Sequence, residues 1–207
     1  MIAAQSETQP IEVQKLRVYY NHPGFIDPLV DHVNAAKQAH PSARLVFTAH
    51  SVPMSMANSS NYVKQLNEAA RIVAEASNTE KWDLVYQSKS STPGQPWLEP
   101  DILDHLHALH EEGVNQIIVC PIGFISDHLE VMYDLDEEAR LLAEQLGMKM
   151  IRTPTSSTDP RFIAMIRELV IERRDGLAIK PALGILSPSH DVCPVDCCPA
   201  PAARPAR

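Results

Sequence analysis

Residues 116–120 read Gln-Ile-Ile-Val-Cys, a short apolar run that is rich in β-branched side chains. Such near-continuous apolarity is typical of a strand that is covered on both faces, as the strands of parallel sheets are. Further β-rich runs occur at 16–20, 44–49, 83–87 and 149–152, and helical patterns separate or follow them at 25–39, 60–77, 100–111, 127–146 and 160–174. This alternation predicts an α/β domain of three layers, in which helices flank a parallel sheet of four to five strands.

The composition indicates a folded acidic protein that does not bind nucleic acid. The 207 residues include 18 Lys and Arg against 26 Asp and Glu, a formal net charge of −8, and no basic cluster that could neutralise phosphates. The seven glycines form neither a GxGxxG motif nor a P-loop, which argues against nucleotide-driven chemistry. Without a long apolar stretch or a signal peptide, we expect no integral membrane segment and a cytoplasmic location.

Changes in composition along the chain suggest three parts. We expect a flexible N-terminus at 1–15, an α/β domain at 16–180, and a tail at 181–207 that is rich in Pro and Cys. The proline density and weak periodicity of the tail predict an irregular backbone.

Ligands of doubly wound sheets bind beyond the carboxyl ends of the strands, so the loops at those ends are candidates for function. His50 ends the run at 44–49, where an imidazole can act as a base or as a ligand for iron, cobalt or zinc. Ser51, Gln87 and His128 lie in loops at the same predicted edge. For His50 itself, the alternative is a partly buried histidine with only a structural role.

Three acids recur at intervals of four residues in the run at 127–146. Glu130, Asp134 and Glu138 drift by only about 40° per step around a helix, and they would align better if the helix were locally widened as in a π-bulge. Such a row of hard oxygen ligands suits a path for a divalent cation or for protons. Two alternatives stay open: Asp127 and Glu130 match a capping box, and the later acids could share a solvated face with Asp136.

Three cysteines crowd the tail. Cys193, Cys197 and Cys198 have CxxxCC spacing rather than the CxxC pair of a typical zinc site. They could hold three positions of an iron–sulfur cluster with a fourth ligand from elsewhere, and the alternative is a tail with free thiols.

Three segments together resemble the signatures of the ferrochelatase family, in the family's order. They are Thr-Ala-His-Ser-Val-Pro at 48–53, Gln-Ser at 87–88 with Thr-Pro-Gly-Gln-Pro-Trp-Leu-Glu-Pro-Asp at 92–101, and Gly-Phe-Ile-Ser-Asp-His-Leu-Glu-Val-Met-Tyr-Asp at 123–134. The resemblance extends from about residue 18 to 174.

Ferrochelatases insert Fe²⁺ into a porphyrin late in heme synthesis without ATP. The resemblance implies that His50 and Glu130 form the metal and proton-transfer pair of a porphyrin cleft, and that Asp134 and Glu138 belong to an acidic path for metal or protons. It also adds Trp97 to the candidates in the cleft loops. Fe²⁺ and the porphyrin would be substrates and no cofactor would be required for the chemistry, although some family members carry a 2Fe–2S cluster on C-terminal cysteines.

The resemblance is to the second of two similar domains in the family, and we expect no counterpart of the first. A separate partner half or a homodimer would then complete the cleft. Alternatives are a short homodimeric chelatase for another tetrapyrrole and an inactive half-domain that binds metal or tetrapyrrole. The choice between protoporphyrin IX and coproporphyrin III stays open, and so do the separate roles of His50 and Glu130.

Overall fold

The sheet has four parallel strands in the order β2-β1-β3-β4 in a computed structural model that describes residues 13–90, 94–195 and 197. The strands are β1 (Arg44–His50), β2 (Trp82–Gln87), β3 (Gln116–Cys120) and β4 (Lys149–Arg152). Strand β1 pairs in parallel with β2 on one side and with β3 on the other, and β4 pairs with β3. The predicted α/β class and parallel sheet are therefore confirmed.

Helices lie between and beside the strands where the sequence predicts them, and one short helix, at 54–58, was not predicted. They are α1 (Pro23–Ala39), α2 (Met54–Asn58), α3 (Tyr62–Ala76), α4 (Ile102–Glu111), α5 (Leu129–Val131), a π-helix (Met132–Ala139), α6 (Arg140–Gln145) and α7 (Pro160–Asp175). The segments α5, π-helix and α6 follow one another without interruption, and we call them together the 129–145 helix.

The helices cover both faces of the sheet. Successive side chains of a strand point to opposite faces. Phe47 of β1 and Ile118 of β3 accordingly pack into a core with buried side chains of α1, α3 and α7. Val46 and Ile117 pack on the other face with side chains of α4 and the 129–145 helix. This is the predicted three-layer arrangement.

The strand predicted at 16–20 is wrong. The segment 13–19 forms no strand and lies instead against the helical layer. Arg17 makes a buried, two-pronged ion pair with Glu172 of α7, with N···O distances of 2.6 and 3.0 Å. The ring of Tyr19 meets those of Phe25 and Phe162 edge-on, with centroids 5.8 and 6.1 Å apart. Side-chain contacts with helices thus replace the backbone ladder that the β-rich composition suggested.

The tail is irregular but anchored to the domain. Among the described residues after α7, namely 176–195 and 197, none lies in a helix or strand. Glu68 of α3 accepts hydrogen bonds from the backbone N–H groups of Ile185 and Leu186, at 2.7 and 3.3 Å. The division of the chain at 16 and 180 stays a prediction. Within the described ranges, every helix is too short or too polar to cross a membrane.

Candidate active site

The carboxyl ends of β1 and β2 and the loop after β3 meet at one edge of the sheet. His50 is the last residue of β1 and Gln87 is its partner at the end of β2. The loop at 121–128 crosses the end of β1, where the Gly123 N–H donates to the carbonyl of Thr48 at 3.0 Å. A Cβ on Gly123 would lie 2.5 Å from that of Ala49, so only glycine permits this approach. The close contact positions the start of the 129–145 helix beside His50.

His50 and Glu130 face each other at this edge. Nε2 of His50 lies 3.2 Å from Oε1 of Glu130, and the two side chains are 38% and 47% exposed. The other ring nitrogen, Nδ1, contacts the carbonyl oxygen of Ser51, which can only accept a hydrogen bond. Nδ1 therefore carries the proton in the neutral ring, and the Nε2 lone pair is directed at Glu130.

Tyr62 holds the backbone of His50 in place through a hydrogen bond. Its hydroxyl donates to the His50 carbonyl at 2.9 Å. Burial, with a smaller contribution from Tyr86, raises the pKa of Tyr62 to about 12, so the hydroxyl keeps its proton and stays a donor at neutral pH.

The helix that carries Glu130, Asp134 and Glu138 is locally widened, as the alignment of these acids along one face favours. It is π-helical over Met132–Ala139, which brings residues four apart closer to one line. Asp134, in the middle of the line, accepts hydrogen bonds from the Gln87 side-chain amide at 3.2 Å and from the Ser88 hydroxyl. Glu138, at the far end, is exposed. Asp134 thus contacts the end of β2, and the path through Glu130, Asp134 and Glu138 stays a prediction.

Asp127 does not form the capping box that was the alternative for Glu130. The N-cap of α5 is His128, whose Nδ1 accepts the Val131 N–H at 3.4 Å. Asp127 is instead bound to Arg152, the last residue of β4, at 2.7 Å.

Asp136, which one alternative placed on a solvated face, is 34% exposed and is held by an arginine. Arg152 donates two hydrogen bonds to its carboxylate, at 2.5 and 2.8 Å. These hydrogen bonds are the main cause of the raised pKa of Arg152. The Arg152 guanidinium thus binds both the loop before the 129–145 helix and the π-helix.

Three of the remaining candidates serve to shape the loops. Ser51 is buried, and its hydroxyl donates to the Leu98 carbonyl at 2.8 Å. Trp97 forms an antiparallel bridge with Pro53, and its indole N–H is buried without a hydrogen-bond partner among the described residues. The ring of His128 rests edge-on against Phe124, with centroids 5.5 Å apart. Ser51 and Trp97 thus join two loops, and His128 caps a helix.

The sequence-based list missed Tyr62, Ser88 and Arg152. Ser88 and Arg152 could have been found, because both lie at the carboxyl ends of predicted strands and the edge rule applies to every strand. Tyr62 begins α3 and is brought to His50 only by the tertiary fold, so no local pattern marks it.

An α/β domain with a histidine–carboxylate pair and a line of acids at one sheet edge has the donor set of a protein that handles divalent cations. The family model for ferrochelatase matches residues 1–174. A ferrochelatase of Rhodopirellula baltica is 50% identical over 191 residues, which are 90% of this chain and 54% of that protein. A coproporphyrin III ferrochelatase of Streptomyces griseus is 46% identical over 218 residues, covering 94% of this chain and 58% of the relative. Another, of Mycobacterium avium, is 47% identical over 169 residues, covering 80% of this chain and 50% of the relative.

The chain belongs to the ferrochelatase family. It spans little more than half the length of the curated relatives that it matches.

Proposed function

We propose that this protein acts in the insertion of Fe²⁺ into a porphyrin, with His50 and Glu130 as the pair that delivers the metal and accepts protons. The observation that carries the proposal is the 3.2 Å separation between Nε2 of His50 and Oε1 of Glu130. Fe²⁺ and the porphyrin are the substrates, and no cofactor is needed for the chemistry. The membership of the family supports this reading, and the activity of the full-length relatives comes to this chain as a proposal.

The distance suits either a shared proton or a shared cation. A lone pair on Nε2 and a carboxylate oxygen repel each other unless a positive charge lies between them. Two ligands at about 2.1 Å in neighbouring positions of an octahedral ion would be about 3.0 Å apart, close to the observed separation. The pair can therefore hold an incoming divalent ion with little movement.

The reaction requires a proton route as well as a metal route. Entry of Fe²⁺ displaces the two pyrrole N–H protons and leaves the oxidation state of iron unchanged. A neutral His50 can accept one proton at Nε2, and the Glu130 carboxylate can take the other. Asp134 and Glu138 continue from Glu130 towards solvent, which gives protons an exit and cations an entry.

The surface around Glu130 suits a large, flat, apolar ligand. Leu129 is 82% exposed, and Met132 and Tyr133 are about half exposed. Apolar side chains beside an exposed carboxylate favour contact with a macrocycle whose centre is polar.

The test is anaerobic metallation followed by absorbance, with coproporphyrin III and protoporphyrin IX compared. Coproporphyrin III comes first because two of the relatives above are named for it. We expect His50→Ala and Glu130→Gln each to lower turnover at least about 100-fold, the usual range for a lost acid–base group. Glu137→Gln is the matched control, since this exposed acid of the same helix lies 3.8 Å from Arg140 and away from the pair.

Turnover that survives both substitutions would refute the site assignment. Metal binding that depends on His50 and Glu130 in the absence of turnover would favour the binding half-domain. Light scattering then separates a homodimeric chelatase from a chain that needs a separate partner half.

Two further sequence predictions are neither supported nor opposed by the site. The cytoplasmic location stays a prediction. The 2Fe–2S cluster on Cys193, Cys197 and Cys198 also stays one, and Cys198 lies outside the described residues.

A further inference from the structure

His22 is the N-cap of α1 and is an unusual residue for that position. Its Nδ1 accepts the backbone N–H of Gly24 at 3.0 Å. Serine, threonine, asparagine and aspartate are the preferred N-caps, and their side-chain oxygens accept this hydrogen bond at neutral and at mildly acidic pH. An imidazole nitrogen accepts only while it carries no proton, so the cap of α1 depends on pH.

The contacts of the His22 ring determine which nitrogen carries the proton. The residue is 2% exposed, and because Nδ1 accepts from Gly24, the single proton of the neutral ring lies on Nε2. Nε2 is buried without a hydrogen-bond partner among the described residues, and Oε2 of Glu168 lies 3.5 Å from it. A second proton would enter at Nδ1, where it would face the Gly24 N–H.

Charged groups face His22 from the segment before α1, from α1 itself and from α7. They are Arg17 of the segment 13–19, Asp27 of α1, and Glu168 and Glu172 of α7. Burial, followed by Arg17, lowers the pKa of His22 below its ordinary 6.5 against the opposite effect of the three carboxylates. The cap is therefore intact at neutral pH, and its contribution to stability is lost as the pH falls below 6.5 through the folded pKa.

The residue before His22 holds the tail. The side-chain amide of Asn21 donates to the carbonyls of Leu183 and Leu186 at 3.3 and 2.9 Å, and its backbone carbonyl accepts the Leu183 N–H at 2.8 Å. The carbonyl of His22 accepts the first two backbone hydrogen bonds of α1, at 3.0 Å each. A movement of the first turn of α1 is therefore transmitted to Asn21 and to the tail.

We propose that His22 is a pH-operated latch for the tail, in which protonation of Nδ1 opens the first turn of α1 and frees Leu183 from Asn21. The protonated ring has two N–H groups and no acceptor, so the Gly24 N–H loses its partner. The ring or the turn must then move, and Asn21 is joined directly to both.

A second anchor of the tail responds to a different pH range. Glu68 accepts the Ile185 N–H at 2.7 Å. The hydrogen bond from Arg71 holds the pKa of Glu68 below 4.5, so this anchor stays closed while His22 becomes protonated. As the pH falls, the tail thus opens first at Leu183 and only later at Ile185.

The tail forms one wall of a groove beside the proposed active site. Leu186, whose carbonyl Asn21 binds, lines this groove of about 920 Å³ together with Val52 and Tyr62. Tyr62 in turn holds the backbone carbonyl of His50. The latch therefore allows mild acid to loosen a groove wall, and it does not depend on the proposed function.

Nuclear magnetic resonance of the full wild-type chain tests the latch without any substitution. At about pH 7.5, the nitrogen chemical shifts of the His22 ring should show a bare Nδ1, and its titration midpoint should lie below 6.5. Amide exchange, corrected for its intrinsic pH dependence, should show protection of Leu183 falling about 10-fold as the pH crosses that midpoint. Ile185 should stay protected over the same range.

His22→Asn is the rescue variant, because an asparagine oxygen caps a helix throughout this pH range. It should keep Leu183 protected at the pH where the wild type loses protection. His107→Gln is the matched control, since His107 is exposed on α4, and this variant should keep the response of the wild type.

Four results in the wild type alone would overturn the proposal. They are a proton on Nδ1 of His22 at about pH 7.5, a midpoint at or above 6.5, constant protection of Leu183 through the midpoint, and equal loss of protection at Leu183 and Ile185. A loss at Leu183 that is as large in His22→Asn as in the wild type would also overturn it, because another group would then cause the opening.

Discussion

Arg152 offers the sharpest test of how the acidic helix is held beside the sheet. Its guanidinium makes three hydrogen bonds to carboxylates, two to Asp136 and one to Asp127. Lysine keeps the charge but has a single point of attachment, so Arg152→Lys should lose about two of the three. A hydrogen bond to a charged group contributes about 1.5–3 kcal/mol when buried. Arg152 is 17% exposed and its two partners are about one third exposed, so solvent weakens these hydrogen bonds. We therefore expect Arg152→Lys to lower the free energy of unfolding by about 2 kcal/mol in total.

The assay is equilibrium unfolding in urea, followed by circular dichroism and by tryptophan fluorescence. Arg161→Lys is the matched control, because Arg161 also makes three hydrogen bonds to two carboxylates, those of Asp159 and Asp31, but is 43% exposed and lies on α7. A surface pair of this kind contributes less than about 1 kcal/mol. Equal losses of unfolding free energy in the two variants would refute the idea that Arg152 holds the helix in place.

Three other substitutions test separate contacts. Gly123→Ala should lower the free energy of unfolding in urea by about 1–3 kcal/mol, because the new Cβ would lie 2.5 Å from that of Ala49. The double variant with Ala49→Gly should recover part of that free energy. Tyr62→Phe leaves the His50 carbonyl without its donor and should cost about 1 kcal/mol; an unchanged urea midpoint would contradict this. The hydrogen bond from Arg71 lowers the pKa of Glu68 below its usual 4.5 against the effect of burial, and the backbone donors of the tail lower it further. Its contribution to stability is therefore full above about pH 4.5 and lost as the pH falls through the folded pKa. Urea titrations between about pH 3 and 6 should show the free energy of unfolding of the wild type falling as the pH falls. An equally large fall in Glu68→Gln would contradict the prediction.

Much of the fold follows from local patterns. The runs at 44–49, 83–87, 116–120 and 149–152 are strands within one residue of the predicted ends. The two central runs, at 44–49 and 116–120, are apolar enough to be buried on both faces. The run at 16–20 has similar residues but fails as a strand. Its arginine finds a buried carboxylate on α7, and that long-range partner is invisible in a short window of sequence.

The candidate site was predictable where spacing and strand ends determine it. The strand-end rule placed His50 and Gln87 at one edge, where Gln87 also contacts Asp134, whereas the pairing of His50 with Glu130 was implied by the family resemblance. What the sequence could not provide is the direction of individual side chains. Ser51 lies next to His50 in the chain, yet its hydroxyl turns inward to Leu98.

Asp136 shows why the line of acids needs residues that do not belong to it. A π-helix is rare and its hydrogen-bond pattern is less favourable than that of an α-helix, so it persists where other contacts hold it. At Asp136, Arg152 binds the carboxylate, and the guanidinium of Arg140 donates to the backbone carbonyl at 2.7 Å. Two cations on one residue hold the widened turn on the side away from Glu130 and Asp134. Glu130 and Asp134, which belong to the proposed path for metal or protons, then need no basic partner of their own, because other residues of the helix are held by Arg152 and Arg140.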